Sequence, residues 1–172
     1  NRFRTRVDVS RNYFGGWQGE AEGRDQQWHP KTQYLASGLI GYEIDRTDIY
    51  YRLDYLYEDI YNPGEFQGGE ALDQHYYTNR FMHQLQGSHT FSERFQFNGA
   101  LAFTDYVRET QTTTVNEANG DERLALGSGL QDVTQFNGLT VRGTFQYKWN
   151  DKVSIQPGYD LNYESGSGGR IK

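Results

Sequence analysis

The 172-residue sequence has no cysteine, three prolines, one methionine and no long apolar run. The absence of cysteine excludes a disulfide framework, a thiolate zinc site and a cysteine nucleophile. No stretch approaches the roughly 18 consecutive apolar residues of a membrane-spanning helix. Positive charge is also scarce, and a net charge of −6 argues against general nucleic-acid binding, which needs a basic face. Because the only methionine is Met82, Asn1 is not expected to be a translation start.

What the chain does have is an excess of aromatic residues and glycine. It contains 14 tyrosines, 10 phenylalanines, three tryptophans and 20 glycines, at a mean hydropathy of −0.91. Leu, Ile, Val and Phe together make up only about a fifth of the residues, which is near the range of disordered proteins. Disordered chains are poor in aromatic residues, however. The composition therefore predicts a folded chain in which few positions need to be apolar.

Apolar and polar residues alternate along most of the sequence. Between 48 and 58 every odd position is apolar or aromatic, and four of the six even positions are charged. Successive side chains of a strand point to opposite faces, so this pattern predicts a strand with one apolar and one ionic face. The same pattern is found, with varying strength, in seven segments: 2–13, 32–44, 48–60, 76–91, 94–108, 134–149 and 153–164.

The connections between these segments alternate in length. Those at 45–47, 92–94 and 150–152 are short, whereas those at 14–31, 61–75 and 109–133 are long and rich in Gly, Asn and charge. Short turns at one end and long loops at the other are typical of an up-and-down transmembrane barrel. The fold prediction is therefore all-β: one domain with an antiparallel meander of about seven long strands.

Two architectures share this alternation, a soluble sandwich and a membrane barrel. In the barrel the apolar face meets lipid, and aromatic residues concentrate at the two lipid–water boundaries. Aromatic residues do lie near the ends of the apolar faces, and those expected at the lipid interface are Tyr42, Tyr57, Phe95, Tyr147, Trp149 and Tyr163. Strand length and loop asymmetry also favour the barrel.

Two features depart from this pattern. His83 and His89 fall on the apolar face of the 76–91 segment, so we expect either neutral interfacial histidines or a bulge that shifts the register. Pro157 lies inside the last segment, where it cannot donate a ladder hydrogen bond and requires a bulge or a local edge. Seven strands also cannot close a single-chain bacterial barrel, which has an even number of strands. The chain is therefore expected to be one piece of a larger barrel.

Four segments resemble the TonB-dependent outer-membrane receptors. The segment YYRLDYLYEDIYNPG at 50–64 resembles an early barrel strand that runs into a Pro-Gly at the start of an external loop. The segment YTNRFMHQL at 77–85 looks like the next descending strand, and FSERFQF at 91–97 resembles its periplasmic turn. The segment GYDLNYESGSGGR at 158–170 has a similar texture. The likeness covers most of the chain, although each motif is weak and the order of strands and loops carries it.

The resemblance implies a place and a role for the chain. It would form part of the early wall of a barrel of about 22 strands in a bacterial outer membrane, without the family's plug domain, TonB-box peptide or terminal aromatic strand. The implied function is energised uptake of a bulky nutrient such as a ferric siderophore, cobalamin, haem or a glycan. The implied partners are outer-membrane lipid, the plug and remaining strands of the receptor, the TonB complex and a surface lipoprotein.

Two sets of residues are candidates for function. One set lies on the ionic faces, where the resemblance implies contact with the lumen and the plug: Arg4, Arg6, Arg52, Asp54, Arg80, Arg108, Arg142, Lys148 and Asp160. The other set lies in segments predicted to be loops, where exposed side chains can bind a ligand at the outer mouth: Trp17, Trp28, His29, Tyr61, Phe66 and His75. The simpler interpretations are a hydrated wall with cross-strand ion pairs and ordinary packing between loops.

Catalysis and metal binding have little support in the sequence. His83 and His89 are six residues apart on one strand, about 20 Å, which is too far to chelate one metal. The four histidines form no zinc-protease pattern, the loop carboxylates form no calcium loop, and the glycines at 166–169 form no phosphate loop. We therefore predict no enzyme activity, no metal and no cofactor. The alternatives to the receptor are a complete small outer-membrane barrel with a structural or adhesive role and a soluble β-sandwich binding module.

Overall fold

The computed structural model describes residues 2–19, 23–127 and 129–169, so residues 20–22 and 128 of the predicted loops lie outside it. Within these ranges the chain forms strands and no helix. No helix of the described residues is thus long and apolar enough to cross a membrane. The strands are β1 (Arg2–Phe14), β2 (Lys31–Ile44), β3 (Thr47–Asn62), β4 (Glu70–Ser92), β5 (Phe95–Asn116), β6 (Glu122–Leu124), β7 (Asp132–Asn150), β8 (Val153–Ile155) and β9 (Gly158–Ser167).

All nine strands belong to one antiparallel sheet. Strands β1 to β5 pair in sequence order, β5 then pairs with β7, and both β8 and β9 pair with β7. The short β6 extends the sheet by pairing with the far end of β5. The predicted all-β antiparallel meander is therefore confirmed.

The hairpin of β4 and β5 is longer than the sequence pattern predicts. β4 begins at Glu70 rather than near residue 76, and β5 runs to Asn116 rather than ending near 108. The two extensions pair without interruption, from Glu70 with Asn116 onward. They were predicted to be loops because their side chains are largely polar. The prediction that Tyr61 and His75 lie in loops is wrong for the same reason, since Tyr61 ends β3 and His75 belongs to β4.

Of the two expected irregularities, the one at Pro157 is found, whereas no bulge shifts the register at His83 or His89. The pairing of β4 with β5 is regular past His83 and His89, and its single shift falls between Thr90 and Ser92, beside the turn. Both histidines therefore remain on the apolar face. The last predicted strand is divided into β8 and β9 at Gln156 and Pro157. Phe145 N donates to Pro157 O at 2.9 Å, so the break keeps one hydrogen bond to β7.

The sheet has almost no buried core. Among the described residues, the buried apolar side chains are those of Ala71, Val115 and Ala125. A sandwich would bring apolar side chains together from two packed layers, but here they lie side by side on one face of a single sheet. This sheet therefore exposes a large apolar surface.

Candidate functional site

The strand register aligns the side chains in rows that cross the sheet at right angles to the strands. Residues that pair directly in an antiparallel sheet point to the same face. Each row is consequently a line of neighbours on one face, such as Phe3, Tyr42, Ile49, Gly87, Gly99, Gly143 and Tyr159. Rows that include an odd-numbered residue of β1 lie on one face of the sheet, which we call the first face. Rows that include an even-numbered residue of β1 lie on the opposite face.

The first face carries a band that we name the apolar belt. Toward the long loops it contains Val9, Tyr34, Tyr57, Phe81, Phe103, Leu139 and Tyr163, and Tyr13, Tyr77 and Val133 lie still further toward the loops on β1, β4 and β7. Its limit toward the short turns is formed by Phe3, Ile44, Ile49, Phe91, Phe95, Trp149 and Val153. Many of these side chains are highly exposed, for example Val9 at 79% and Leu161 at 62%. All six aromatic residues expected at a lipid interface lie on this face.

The limit of the belt toward the short turns crosses the hydrogen-bonded rows obliquely. Thr47, at the first short turn, pairs with His89, and β4 continues three residues further to Ser92. Phe95 pairs with Tyr147, and β7 again continues three residues further, to Asn150. A step of two to three residues is about 7–10 Å along the strand, against about 9.6 Å across two strand spacings. This limit therefore inclines the strands by about 35–45° from the normal to its plane.

The two histidines of the belt are hydrogen-bonded within it. His83 Nδ1 lies 2.7 Å from the hydroxyl of Tyr51, and His89 Nδ1 lies 2.7 Å from Oγ1 of Thr47. Thr47 lies directly opposite His89 on β3, whereas Tyr51 lies one row away from His83, diagonally across the pair of strands. These pairs satisfy one ring nitrogen of each histidine without a change of register.

The opposite face is polar and holds all nine residues predicted to be lumen-facing. Arg6 pairs with Asp8, Arg52 with Asp54 and Arg142 with Asp160, each at 2.7 Å, and Arg4 contacts Asp48. The guanidinium of Arg108 lies 4.6 Å from the centre of the Tyr76 ring. Within the described part of the chain, the side chains of Arg80 and Lys148 have no hydrogen-bond or ion-pair partner.

The polar face carries a hollow of about 930 Å³, lined among others by Arg6, Asp8, Arg52, Asp54 and Arg80. In this hollow Asp54 Oδ2 is shielded from solvent and accepts no hydrogen bond from the described residues. Because of this hollow we name the polar face the concave face and the belt-bearing face the convex face. Charged side chains therefore surround the hollow, and the apolar belt covers the opposite side of the sheet.

Trp17 and Trp28 are brought together by the first long loop. Each backbone N–H donates to the carbonyl of the other, at 2.9 and 3.0 Å, so the loop narrows to a two-residue bridge. Directly paired residues project to the same side, and these indoles remain 53% and 64% exposed. His29 follows, and its shielded Nδ1 has no hydrogen-bond partner among the described residues. These three residues are separate from the other predicted loop residues.

Tyr61 and Phe66 belong instead to a cluster that we name the loop clamp, centred on Asp73. Asp73 is 3% exposed, and its Oδ2 accepts from Arg24 at 2.7 Å and from the Tyr61 hydroxyl. Its Oδ1 accepts from Gly64 N at 3.1 Å. Arg24 also donates to Gly64 O at 3.1 Å and lies 4.5 Å from the centre of the Phe66 ring. The clamp thus fastens the first and second long loops to β4.

The sequence did not predict the central pair of the clamp. Arg24 and Asp73 are 49 residues apart, in segments that had been assigned to separate loops. The only signal for Asp73 was the alternation of Ala71, Asp73 and His75, which marks a strand but not a buried carboxylate. Gly64 has a structural reason to be glycine, because a Cβ there would collide with the Leu72 carbonyl oxygen.

The clamp alters the titration of Tyr61, which lies beyond the belt. Burial raises the pKa of the Tyr61 phenol to about 12, and its hydrogen bond to the Asp73 carboxylate acts in the same direction. Tyr61 also contacts His75, with ring centres 4.7 Å apart. His75 Nδ1 lies 2.9 Å from Asp59 Oδ1, and its ring stacks on Tyr77 at 5.4 Å. His75 thus has a packing role on the predicted ligand side of the sheet.

The third long loop is held by a second network that the sequence did not predict. Thr112 is fully buried, and its Oγ1 donates to Leu130 O at 2.6 Å. Gln131 Oε1 accepts from Thr112 N at 3.1 Å, while Gln131 Nε2 donates to Thr112 O at 2.7 Å and Ala125 O at 3.1 Å. Residues 125–127 and 129–131 are therefore folded back against β5.

The described residues contain no group of three or more His, Cys, Asp or Glu side chains that could hold a metal ion. The geometry instead comprises an apolar convex face, a charged concave face and a set of ordered loops at one end. No family model, no curated protein and no solved structure matches this chain.

Proposed function

We propose that the chain is part of the wall of a transmembrane β-barrel in a bacterial outer membrane. The observation that carries the proposal is the oblique apolar belt. Outer-membrane barrel strands are tilted by about 35–45°, so a flat hydrocarbon layer must cross their hydrogen-bonded rows at an angle. A band perpendicular to the strands would not fit such a barrel, whereas an inclination of about 35–45°, as at the short turns of this sheet, does.

The difference between the two faces supports the same assignment. In a barrel the lipid-facing side is apolar and the lumen-facing side is polar. Here the ion pairs of Arg6, Arg52 and Arg142 all lie on the face opposite the apolar belt. An apolar convex face without a second layer needs lipid to cover it, because exposed apolar patches of this extent are rare on soluble monomers.

We further propose that the barrel is a TonB-dependent receptor of about 22 strands, which takes up a bulky nutrient. The support is the resemblance of the segments at 50–64, 77–85, 91–97 and 158–170 to strands and turns of that family. In this scheme the exposed Trp17 and Trp28 contact the ligand, and the loop clamp holds their loop in position. The plug, the remaining strands, the TonB complex and a surface lipoprotein would be the partners.

The membrane assignment is tested by a pair of neighbouring substitutions in the full-length protein. Leu101 lies in the middle of the belt and Ala102 on the concave face, so Leu101→Arg and Ala102→Arg place the same charge on opposite sides. Arginine facing lipid near the bilayer midplane costs about 2–4 kcal/mol. We expect Leu101→Arg to reduce assembly in outer membranes strongly and Ala102→Arg to have little effect. Equal effects of the two substitutions would contradict the proposal.

The receptor assignment needs a separate test. Cells that lack the gene should fail to accumulate one scarce, bulky nutrient, and cells that lack the TonB complex should show the same defect. Radiolabelled siderophores, cobalamin, haem and oligosaccharides are suitable probes. Uptake that persists without the TonB complex would exclude an energised receptor while leaving the barrel itself intact.

A further inference from the structure

One row of the concave face is apolar although the rows on both sides of it are polar. It consists of five neighbours on five adjacent strands, which we name the inner stripe: Leu35, Leu56, Arg80, Tyr106 and Phe136. The row on one side contains Asp8, Ser37, Asp54, Met82 and Thr104. The row on the other side contains Gln33, Glu58, Thr78, Arg108 and Thr134. Four large apolar side chains in one line are unexpected on a water-filled wall.

The centre of the inner stripe is an unpaired cation. Arg4, Arg6, Arg52 and Arg142 of the same face each contact an aspartate. Arg80 is exposed and has no acceptor within the described residues. Of its neighbours, Asp54 accepts from Arg52 through Oδ1 while its shielded Oδ2 has no partner there, and Glu58 accepts from Gln33. The stripe therefore offers two apolar pairs, Leu35 with Leu56 and Tyr106 with Phe136, on either side of one free positive charge.

The dimensions of the stripe fit an extended peptide. Five strands at a spacing of about 4.8 Å give a length of about 19 Å and a height of one side chain. The midpoint of each apolar pair lies one and a half spacings from Arg80, about 7 Å. Alternate side chains of an extended strand are also about 7 Å apart. In a peptide with apolar residues at positions i and i+4 and an acidic residue at i+2, the acidic side chain would therefore face Arg80. The two apolar side chains would face the apolar pairs on either side of it.

We propose that the inner stripe is the docking line for an extended polypeptide segment in the barrel lumen, with the pattern apolar-x-acidic-x-apolar. Its carboxylate is bound by Arg80, and its two apolar side chains cover the pairs that flank Arg80. This inference rests on the proposed function, because only a barrel encloses a lumenal domain against this face. It adds the place and the chemistry of the contact.

Site-specific photo-crosslinking in outer membranes tests the proposal on the full-length protein. Benzoylphenylalanine is introduced at Tyr106 or Leu56 in the stripe, at Tyr50 lower on the same face, and at Leu101 in the belt. We expect Tyr106 and Leu56 to label one common peptide with the proposed pattern, and Tyr50 to label a different site. Leu101 should label lipid. Labelling of unrelated peptides, or of none, from the stripe would overturn the docking line.

Charge variants then test the role of Arg80. Arg80→Gln should reduce labelling from Tyr106 by about threefold or more, since a hydrogen bond to a charged group is lost. Arg80→Lys should retain most labelling, and Arg142→Gln should leave it unchanged. A charge exchange combines Arg80→Glu with replacement of the labelled acidic residue of the peptide by arginine. This double variant should restore labelling from Tyr106.

The outcomes separate failure of this inference from failure of the proposed function. If Leu101 labels lipid but the stripe labels no peptide, the barrel stands and the docking line is wrong. Protection of the stripe by a small anionic solute, without a peptide adduct, would also refute it. If Leu101 labels protein and no lipid, the membrane assignment itself fails.

Discussion

At the scale of single residues, the strongest determinant of loop order is the buried carboxylate of Asp73. Three groups from two loops and one strand converge on it, Arg24, Tyr61 and the Gly64 amide. A buried charge that loses its partner is far more costly than an exposed one, because water cannot replace the lost contact. The arrangement of the loops should therefore be more sensitive to Asp73 than to any carboxylate of the concave face.

We expect Asp73→Asn to weaken the clamp by about 1.5–3 kcal/mol, the usual contribution of hydrogen bonds to a charged group. The measurement is hydrogen exchange at residues 61–66, where the Gly64 amide should lose protection. The matched control is Asp8→Asn, since Asp8 also pairs with an arginine but is exposed. A similar gain in exchange for both variants would show that burial is not the cause.

The raised pKa of Tyr61 gives a second prediction at this scale. A phenol with a pKa of about 12 in the folded chain, against an ordinary value of 10, stabilises the fold while it stays protonated. That contribution is complete below pH 10 and is lost as the pH rises toward 12. Loop opening, measured by hydrogen exchange or proteolysis, should therefore increase between pH 10 and 12.

Tyr61→Phe isolates this effect from the other tyrosines. The variant lacks the titrating group and should show a smaller increase over the same range, although its clamp is weaker at neutral pH. An identical pH dependence of loop opening in both proteins would show that a group other than Tyr61 titrates in this range. An ultraviolet difference titration of the two proteins would give the pKa of Tyr61 directly.

At the scale of elements, much of the meander could be predicted because the two-residue period reports which face each side chain occupies. The segment 48–60 became β3 (Thr47–Asn62) with the predicted faces, and its turn at Asp45 and Arg46 is tight, with Asp45 at φ +48°. Alternation fails where both faces are polar. Asp73 and Thr112 are buried by loops rather than by lipid, so their strands had no apolar signature and were assigned to loops.

Partner choice was also beyond the sequence. The alternation of odd and even positions predicts that Arg6, Arg52 and Arg142 share one face. Which aspartate each arginine contacts depends on the strand register and on the side-chain rotamers. Thr112 and Gln131 contain no motif, and their network exists because the third loop folds back onto β5. Long-range contacts of this kind leave no local period to detect.

The Gln131 network should decide whether the third loop is ordered. Gln131→Ala removes three hydrogen bonds, each of which contributes about 1 kcal/mol when both partners are neutral. We expect residues 117–127 to become sensitive to protease while the belt strands stay protected. Thr113→Val, on the opposite face of β5 from Thr112, serves as the control. Cleavage of both variants at equal rates would refute the role of Gln131.

At the scale of the whole molecule, the inclination of the belt predicts how the strands lie in a bilayer. Polarised infrared spectra of the full-length protein in oriented bilayers should give a mean strand tilt of about 35–45° from the membrane normal, which is the range of known barrels. The tilt follows from the stagger of the three short turns and not from any single side chain. Unoriented strands, or strands close to the normal, would contradict the assignment.

The row that contains Gly87, Gly99 and Gly143 has a mechanical consequence. These three neighbours leave this face without side-chain bulk of their own across three adjacent strands; the rings of Phe97 and Tyr159 lean over Gly99 and Gly143, and Ile49 borders Gly87. Bending a sheet toward one face crowds the side chains on that face, and along this row few side chains oppose the bend. If the sheet is part of a barrel wall, as proposed, a cross-section that changes from round to oval would bend first along this row.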